Sequence, residues 1–209
     1  MNPHLILSIG ALLPAALLLG LYGCSSEPEK KEEKKAEAPV EPVTAQKAFY
    51  GVFPQARLWS GDIEVLNMGP MDPEGVPKGE PGTAGAWQVT FVSPSKGKMR
   101  QFTYSVVKTS SLDKGAAMGL ELPYTPKSQE KSFRTQAFKI DSPAAYKTAL
   151  TKAAEYSKKN PDMRVTFQLE GNKQFPNPAW RVIWGDSVAT SNFSIYVDAT
   201  TGEFLKTMH

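Results

Sequence analysis

Few side chains in this sequence are suited to covalent or metal chemistry. The 209 residues include one cysteine, Cys24, and two histidines, His4 and His209. This inventory excludes a Cys-His nucleophile, leaves a serine triad without a well-placed base, and denies a zinc site its usual ligands. A phosphate-binding loop is absent too, because no glycine-rich stretch has the Gly-Lys-Ser/Thr ending. The sequence therefore predicts no catalytic residue, no metal and no cofactor.

The acidic side chains do not form an obvious catalytic pair. Hydrolysis by paired carboxylates requires two of them in one cleft. Asp141, Asp162, Asp186 and Asp198 are well separated in sequence and lie where helix caps and turns need them. We therefore expect that the protein is not an enzyme.

Cys24 is the one residue with an assignable chemical fate, and it directly follows an apolar run over residues 5–22. The segment Leu21-Tyr22-Gly23-Cys24 resembles a bacterial lipobox. The resemblance implies a lipoprotein signal peptide over residues 1–23, cleavage before Cys24, and a lipid on its sulfur that tethers the protein to a membrane. Because Ser25 follows the cysteine, it also implies the outer membrane, facing the periplasm, in a two-membrane bacterium. Two alternatives stay open: a retained transmembrane helix, and a secretory signal that leaves a free thiol.

Residues 24–43 form a polar segment after the apolar run. Beyond Cys24 the segment contains six Glu, four Lys and three Pro, and it has no aromatic residue. Such a composition cannot bury enough apolar area to offset the entropy of ordering. We expect a disordered tether that carries the lipidated cysteine and holds a folded domain away from the membrane.

Residues 44–209 are long enough for one ordinary domain or two small ones. Basic and acidic residues nearly balance, at 24 and 21 in the whole chain, and they are scattered. This charge is too mild for nucleic acid. Nucleic acid is therefore not a predicted partner, and the lipobox resemblance implies the membrane as one, through the lipid anchor.

An internal repeat is the best indication of the fold. Residues 86–91 (Ala-Trp-Gln-Val-Thr-Phe) match residues 179–184 (Ala-Trp-Arg-Val-Ile-Trp), and aromatic, β-branched runs follow at 102–106 and 193–197. Such alternating runs are typical of half-buried strands, so each pair predicts an antiparallel hairpin. Trp87, Trp180 and Trp184 are expected to pack in the core, although a groove for a glycan or peptide is the alternative.

A helix is predicted before each set of strands. In the second copy Ser142 can cap the helix, Pro143 suits its first turn, and Pro161 ends it. In the first copy residues 44–59 carry Pro54, so that helix should be shorter or kinked. The expected fold class is α+β, with two tandem units, each a helix and an antiparallel sheet, at residues 44–132 and 133–209.

The end of the second unit resembles a known family. Val197-Asp198-Ala199-Thr200-Thr201-Gly202, after the Trp-Arg-Val-Ile-Trp strand, is similar to the closing hairpin of a PepSY domain. Residues 203–206 would return from this hairpin as an edge strand. The first unit, whose matching turn at 108–112 has neither the Asp nor the well-placed Gly, resembles the family less closely.

The PepSY resemblance implies a protein-binding module that could inhibit a peptidase and that has no chemistry of its own. The alternative function is a carrier or sensor that holds a small apolar ligand between helix and sheet. Two further segments could form contact surfaces. One is a Gly- and Pro-rich surface loop at 69–85, and the other is a connection at 114–132 that carries Met118, Leu120 and Leu122. That connection is expected either to pack against a domain or to await a partner.

Overall fold

The computed structural model describes residues 40–209, and Cys24, the signal peptide and most of the tether lie outside them. The first half contains β1 (Val43–Thr44), α1 (Ala45–Trp59), β2 (Glu64–Met71), β3 (Thr83–Ala84), β4 (Ala86–Ser93), β5 (Lys98–Ser105) and β6 (Gly115–Pro123). The second half contains α2 (Ser142–Lys159), β7 (Val165–Glu170), β8 (Ala179–Trp184), β9 (Phe193–Asp198) and β10 (Phe204–Met208). A single 3-10 turn, Thr135–Ala137, precedes α2.

Eight strands form one antiparallel sheet, and β1 pairs separately with β3. The order in the large sheet is β10-β9-β8-β7-β2-β4-β5-β6, so each half contributes a helix and a four-stranded meander. The α+β fold class is confirmed. The two halves share a single sheet because β2 pairs with β7 at its centre, while the domain boundaries at 44, 132 and 209 stay predictions.

One hydrophobic core contains residues of both halves and both helices. Small side chains let the helices approach the strands closely: Ala48, Val52 and Ala56 of α1 are fully buried, and Ala149 of α2 is too. A series of aromatic ring contacts connects the two halves, from Phe49 to Phe138 to Trp180. Its ring centroids lie 5.4 and 5.7 Å apart.

The three strand tryptophans are buried, as expected, and two of them make the same hydrogen bond in the two halves. Trp87 Nε1 donates to Val43 O at 2.9 Å, and Trp180 Nε1 donates to Ile140 O at 2.7 Å. Each acceptor lies two residues before its helix begins. A shared contact at equivalent positions shows that the sequence repeat is a structural repeat.

The helix ends differ from the expectation. Asp141, not Ser142, is the N-cap of α2, and its Oδ1 accepts from Ser142 N at 2.8 Å. The same two side chains also cap α1: Ala45 N donates to Ser142 Oγ at 3.0 Å, and Gln46 N donates to Asp141 Oδ1 at 2.9 Å. The start of α2 therefore satisfies amides at both helix N-termini.

Two other expectations concern the first half. α1 is shorter than α2, as expected, with 15 residues against 18, and it continues through Pro54 as one helix. Pro54 is exposed, so the buried residues on the opposite face can hold the helix together. The loop expected at 69–85 is shorter, because β2 continues to Met71 and Thr83–Ala84 pairs with β1.

Candidate functional site: an exposed edge strand

Of the side chains that could do chemistry, Asp141, Asp198 and His209 each make a structural contact. Asp141 caps helices, and Asp198 accepts from Thr200 N and Thr201 N in the β9–β10 turn, as predicted, with Gly202 at a φ of +82°. His209 is the last residue of the chain and packs beside Phe193. Within residues 40–209 no group of three or more His, Cys, Asp or Glu side chains could hold a metal.

The most conspicuous surface feature is β6, which lies in the connection expected at 114–132. Residues 115–123 of that segment are not a linker: they form the fourth strand of the first half and pair with β5 along one side only. The correction has a signal in the sequence, since Met118, Leu120 and Leu122 alternate between Gly115 and Pro123.

Three apolar side chains of β6 are left open to solvent. The exposed fraction is 52% for Met118, 83% for Leu120 and 45% for Leu122. Glu121 is the only charged residue among the nine of this strand. Long, weakly charged edge strands readily accept another strand, which is why proteins usually protect them with charges or bulges. On β6 the devices of this kind are a register shift opposite Arg100 and Phe102, the charge of Glu121, and Pro123 at the end of the strand.

Glu121, the charged residue of β6, contacts the end of α1. Trp59 Nε1 donates to Glu121 Oε2 at 2.6 Å, and Arg100 lies 3.6 Å from the same oxygen. The Trp59 hydrogen bond, followed by the attraction of Arg100 and Lys96, lowers the pKa of the Glu121 carboxyl. Arg100 and Lys96 also sit over the Trp59 ring, at 5.4 and 5.3 Å. These contacts occupy Glu121, and Arg100 Nη1 also donates to Met118 Sδ at 2.8 Å, so Leu120 and Leu122 are the apolar side chains of the strand that lie outside this cluster.

The opposite edge of the sheet is better protected. β10 has five residues and a register shift between Phe204 and Lys206, so its pairing is short and irregular. It carries Lys206, and Lys152 of α2 lies over the Phe204 ring at 5.3 Å. Charge and irregularity discourage further pairing at this edge. β6 is therefore the edge better suited to an additional strand.

A cleft of about 410 Å³ opens where the two halves meet. Its walls include the rest of the predicted loop, residues 72–82, the C-terminal part of α2, and the start of β7. Arg164 bridges its rim, with its Nη1 2.7 Å from Asp72 Oδ2 and 3.8 Å from Asp186 Oδ1. Tyr146, Phe167 and Trp184 contribute aromatic surface. The cleft is thus part polar and part aromatic.

Neither a family model nor a curated protein matches this chain. Among solved structures, the chain is similar to a "putative lipoprotein" from Clostridium difficile 630. The two are 10% identical, the match covers 77% of this chain and 91% of the other, and the TM-score is 0.39. The PepSY resemblance therefore stays a prediction. In residues 40–209, no helix is both long and apolar enough to cross a membrane.

Proposed function

We propose that this protein is a non-catalytic lipoprotein of the bacterial envelope that binds another protein through β6. The lipid on Cys24 would hold it at a membrane, which is the outer membrane facing the periplasm in a two-membrane cell. The PepSY resemblance adds a peptidase as a candidate partner. The observation that carries the proposal is that Met118, Leu120 and Leu122 are exposed on an unpaired strand edge.

Strand addition is the mode of binding that this edge favours. An extended segment of the partner would pair with the free backbone groups of β6. Its side chains on one face of the sheet would contact Met118, and those on the other face would contact Leu122. The strand sits on a fixed support, because Gln55 Nε2 of α1 donates to Ala116 O at 3.3 Å and Trp59 holds Glu121. A rigid edge loses little conformational freedom on binding.

A crosslinking pull-down from the native envelope tests this proposal. The full-length lipidated protein is the bait, in wild-type form and as Leu120→Lys. A lysine at Leu120, which is 83% exposed, should change stability by less than about 0.5 kcal/mol but should repel an apolar partner strand. We expect loss of one envelope protein from the crosslinked material.

Leu58→Lys is the matched control for that experiment. Leu58 is 88% exposed but lies on α1, so the same substitution there cannot affect strand pairing. The control should recover the partner at the wild-type level. Recovery of no envelope protein by the wild-type bait, or equal recovery by Leu120→Lys, would refute binding at β6.

The anchor has its own test. Cys24→Ser removes the sulfur that would carry the lipid, so the variant should leave the membrane fraction after cell breakage. The measurement is the distribution of the protein between pelleted membranes and supernatant. A variant that still pellets with membranes would show that a retained transmembrane helix or another contact holds it.

A second candidate function is a carrier or sensor of a small apolar ligand. The cleft between the two halves is the observation that favours it. Its volume of about 410 Å³ falls within the range of small-molecule sites, and aromatic side chains line part of it. Extraction of the purified protein with organic solvent, followed by mass spectrometry, is the test. A carrier should release an apolar compound in a near-stoichiometric amount.

A further inference from the structure

The large sheet has one face without helices, and the centre of that face carries no charge. In β4, Trp87, Val89 and Phe91 pack in the core, so the residues between them lie on the other face. The register of the strands continues this face across β5, β2 and β7. Protein surfaces are usually rich in charged side chains. The central residues here are instead Gln101 of β5, Gln88 and Thr90 of β4, Asn67 of β2, and Thr166 and Gln168 of β7.

A shallow groove crosses this face. Its wider part has a volume of about 460 Å³ and is bordered by the β8–β9 loop, residues 186–189. Its narrower part, of about 260 Å³, is bordered by the chain after β6, which is fixed to the β4–β5 turn where Tyr124 N donates to Gly97 O at 3.0 Å. Asn67 and Gln168 line both parts. The wider part is within the size range of small-molecule sites.

The floor of the groove presents side-chain amides that the protein does not use. Gln88, Asn67 and Gln168 are partly exposed, and within residues 40–209 their side chains make no hydrogen bond to the protein. Each amide can donate two hydrogen bonds and accept two. Other side-chain amides of the molecule do bond to protein oxygens, namely those of Gln46, Gln55, Asn160 and Asn177.

Gly69 keeps the floor open between two of these amides. It pairs with Gln88 of β4, and Gln168 lies on β7, the neighbour of β2 on its other side. Adjacent strands are about 4.8 Å apart, so the two glutamines lie on strands roughly 10 Å apart, with no side chain on the glycine between them. Backbone N–H and C=O groups point along the sheet toward neighbouring strands. A ligand on this face would therefore be bound by side chains.

The few charges at the groove already have partners or cancel. Glu170 accepts a hydrogen bond from a tyrosine hydroxyl at 3.1 Å, and Asp186 lies 3.8 Å from Arg164 Nη1. Lys127 and Glu130, which border the narrower part, have opposite signs. The groove thus offers no excess charge to an ionic ligand, whereas it offers both donors and acceptors to a neutral one.

We propose that this groove binds a neutral oligosaccharide. A sugar hydroxyl both donates and accepts, so neighbouring hydroxyls of one chain can bond to the amides of Gln88, Asn67 and Gln168. Val188, which is 36% exposed on the β8–β9 loop, would contact the C–H groups of a sugar ring. The tryptophans considered for a glycan groove take no part, because they are buried in the core. The site is also separate from β6, since it lies on the face of the sheet and not at its edge.

The test uses the full-length protein in a detergent that has no sugar group. The probes are four end-labelled neutral hexasaccharides, built of glucose, mannose, galactose or N-acetylglucosamine, and binding is followed by fluorescence anisotropy. We expect saturable binding of at least one of them. In the wild-type protein, the NMR signals of the Gln88 and Gln168 side-chain amides should shift with that sugar and not with a sulfated hexasaccharide.

Gln88→Leu and Gln168→Leu are the informative variants. Each removes one amide from a partly exposed position and keeps a similar side-chain size, and each should weaken sugar binding roughly ten-fold. Gln136→Leu is the matched control, because Gln136 is exposed on the 3-10 turn before α2 and does not line the groove. Both Gln136→Leu and Leu120→Lys should bind the sugar like wild type.

Four results would overturn the proposal. They are no binding of any of the four sugars, wild-type affinity of both groove variants, loss of sugar binding in Leu120→Lys, and binding of a blocked Gly-Ser hexapeptide to the groove in place of a sugar. The NMR titration is made on the wild-type protein, so unshifted amide signals would decide the question even if a variant does not fold. Failure of the sugars to bind would leave the binding of a protein at β6 intact.

Discussion

In the core, one tryptophan hydrogen bond connects the start of each helix to a strand. Trp180 is fully buried and donates its indole N–H to Ile140 O, the carbonyl two residues before α2. Trp87 does the same for Val43 in the first half. A buried carbonyl that loses its donor costs about 1–3 kcal/mol in addition to any lost packing. The indoles therefore serve as hydrogen-bond donors as well as core side chains.

We expect Trp180→Phe and Trp87→Phe each to lower the free energy of unfolding by roughly 2–4 kcal/mol. The measurement is urea denaturation followed by circular dichroism. Leu58→Phe, at an exposed position of α1, is the control and should change the free energy by less than about 0.5 kcal/mol. Near-wild-type stability of both tryptophan variants would contradict the proposed role of the indole N–H.

Asp62 is an exposed carboxylate with three donors. Ser60 Oγ and Ser93 Oγ each lie 2.7 Å from its Oδ1, and Ser95 N lies 2.7 Å from its Oδ2. These hydrogen bonds, with that of Ser60 the largest contribution, hold the pKa of the Asp62 carboxyl well below its usual value. Since the folded-state pKa is lower than the unfolded one, the stabilisation is present above about pH 4 and is lost as the pH falls.

Asp62→Asn should therefore flatten the dependence of stability on pH. An amide does not titrate, so the urea midpoint of the variant should fall less steeply than that of wild type between about pH 4 and pH 2. Asp113→Asn, on the β5–β6 turn, is the comparison and should keep the wild-type slope. The same slope for Asp62→Asn and wild type would rule out this linkage.

At the scale of elements, one helix start stabilises two helices. Ser142 is fully buried, accepts from Ala45 N of α1 and donates to Gly82 O at 2.6 Å. Ser142, the first residue of α2, therefore makes two hydrogen bonds to residues of the first half. Its removal leaves a buried amide and a buried carbonyl without their partners.

We expect Ser142→Ala to destabilise the protein by roughly 2–4 kcal/mol, which is large for the loss of one oxygen atom. Differential scanning calorimetry gives the change in midpoint and enthalpy. Ser157→Ala, near the end of the same helix, provides the control because helix propensity would make it neutral or slightly stabilising. If the two variants have equal midpoints, the cap that Ser142 provides to α1 contributes little.

Hairpin turns show how different residues perform one role. In the second half Asp198 Oδ1 accepts from the amides two and three residues on. In the first half Thr109 Oγ1 does the same for Ser111 N and Leu112 N, at 3.2 and 3.0 Å. The position of Asp198 itself is held by Ser105, which pairs with Ala86 as Asp198 pairs with Ala179. Ser105 Oγ accepts from Val107 N at 3.3 Å, so a hydroxyl replaces the carboxylate there and Thr109 makes a further turn.

The whole molecule is a repeat whose two copies share a sheet, a core and their helix caps. Phe49, Phe138 and Trp180 link the halves within the core, and Asp141 with Ser142 links the helices. Neither half could lose its structure without exposing buried residues of the other. Cooperativity across the junction is the consequence.

The protein should therefore unfold in one transition. In calorimetry of the full-length chain we expect a single peak, with a van't Hoff enthalpy equal to the calorimetric enthalpy. Two resolved peaks, or a ratio of the calorimetric to the van't Hoff enthalpy well above one, would show that the halves are independent domains.

Local patterns in the sequence were enough to predict the repeated helices, the β4–β5 and β8–β9 hairpins, the buried tryptophans and the turn at Asp198. Each of these depends on residues close in sequence, whose periodicity and turn chemistry act over a few residues. The prediction of a linker where β6 lies is wrong, because the alternation of Met118, Leu120 and Leu122 is short and stands inside a long connection. For the candidate site, the sequence identified Met118, Leu120 and Leu122 but not their shared strand.

Tertiary structure alone decided the arrangement of the two copies. The junction depends on Val65 meeting Phe133 and on Met68 pairing with Leu169, contacts between residues more than sixty positions apart. No local signal encodes which strand edges face each other or that Ser142 would cap α1. The sequence by itself determined most of the elements and the repeat, because these follow from residue types and short spacings, whereas the expectation that the protein is not an enzyme stays a prediction. The free edge at β6 exists only because the packed sheet leaves its backbone groups without neighbours.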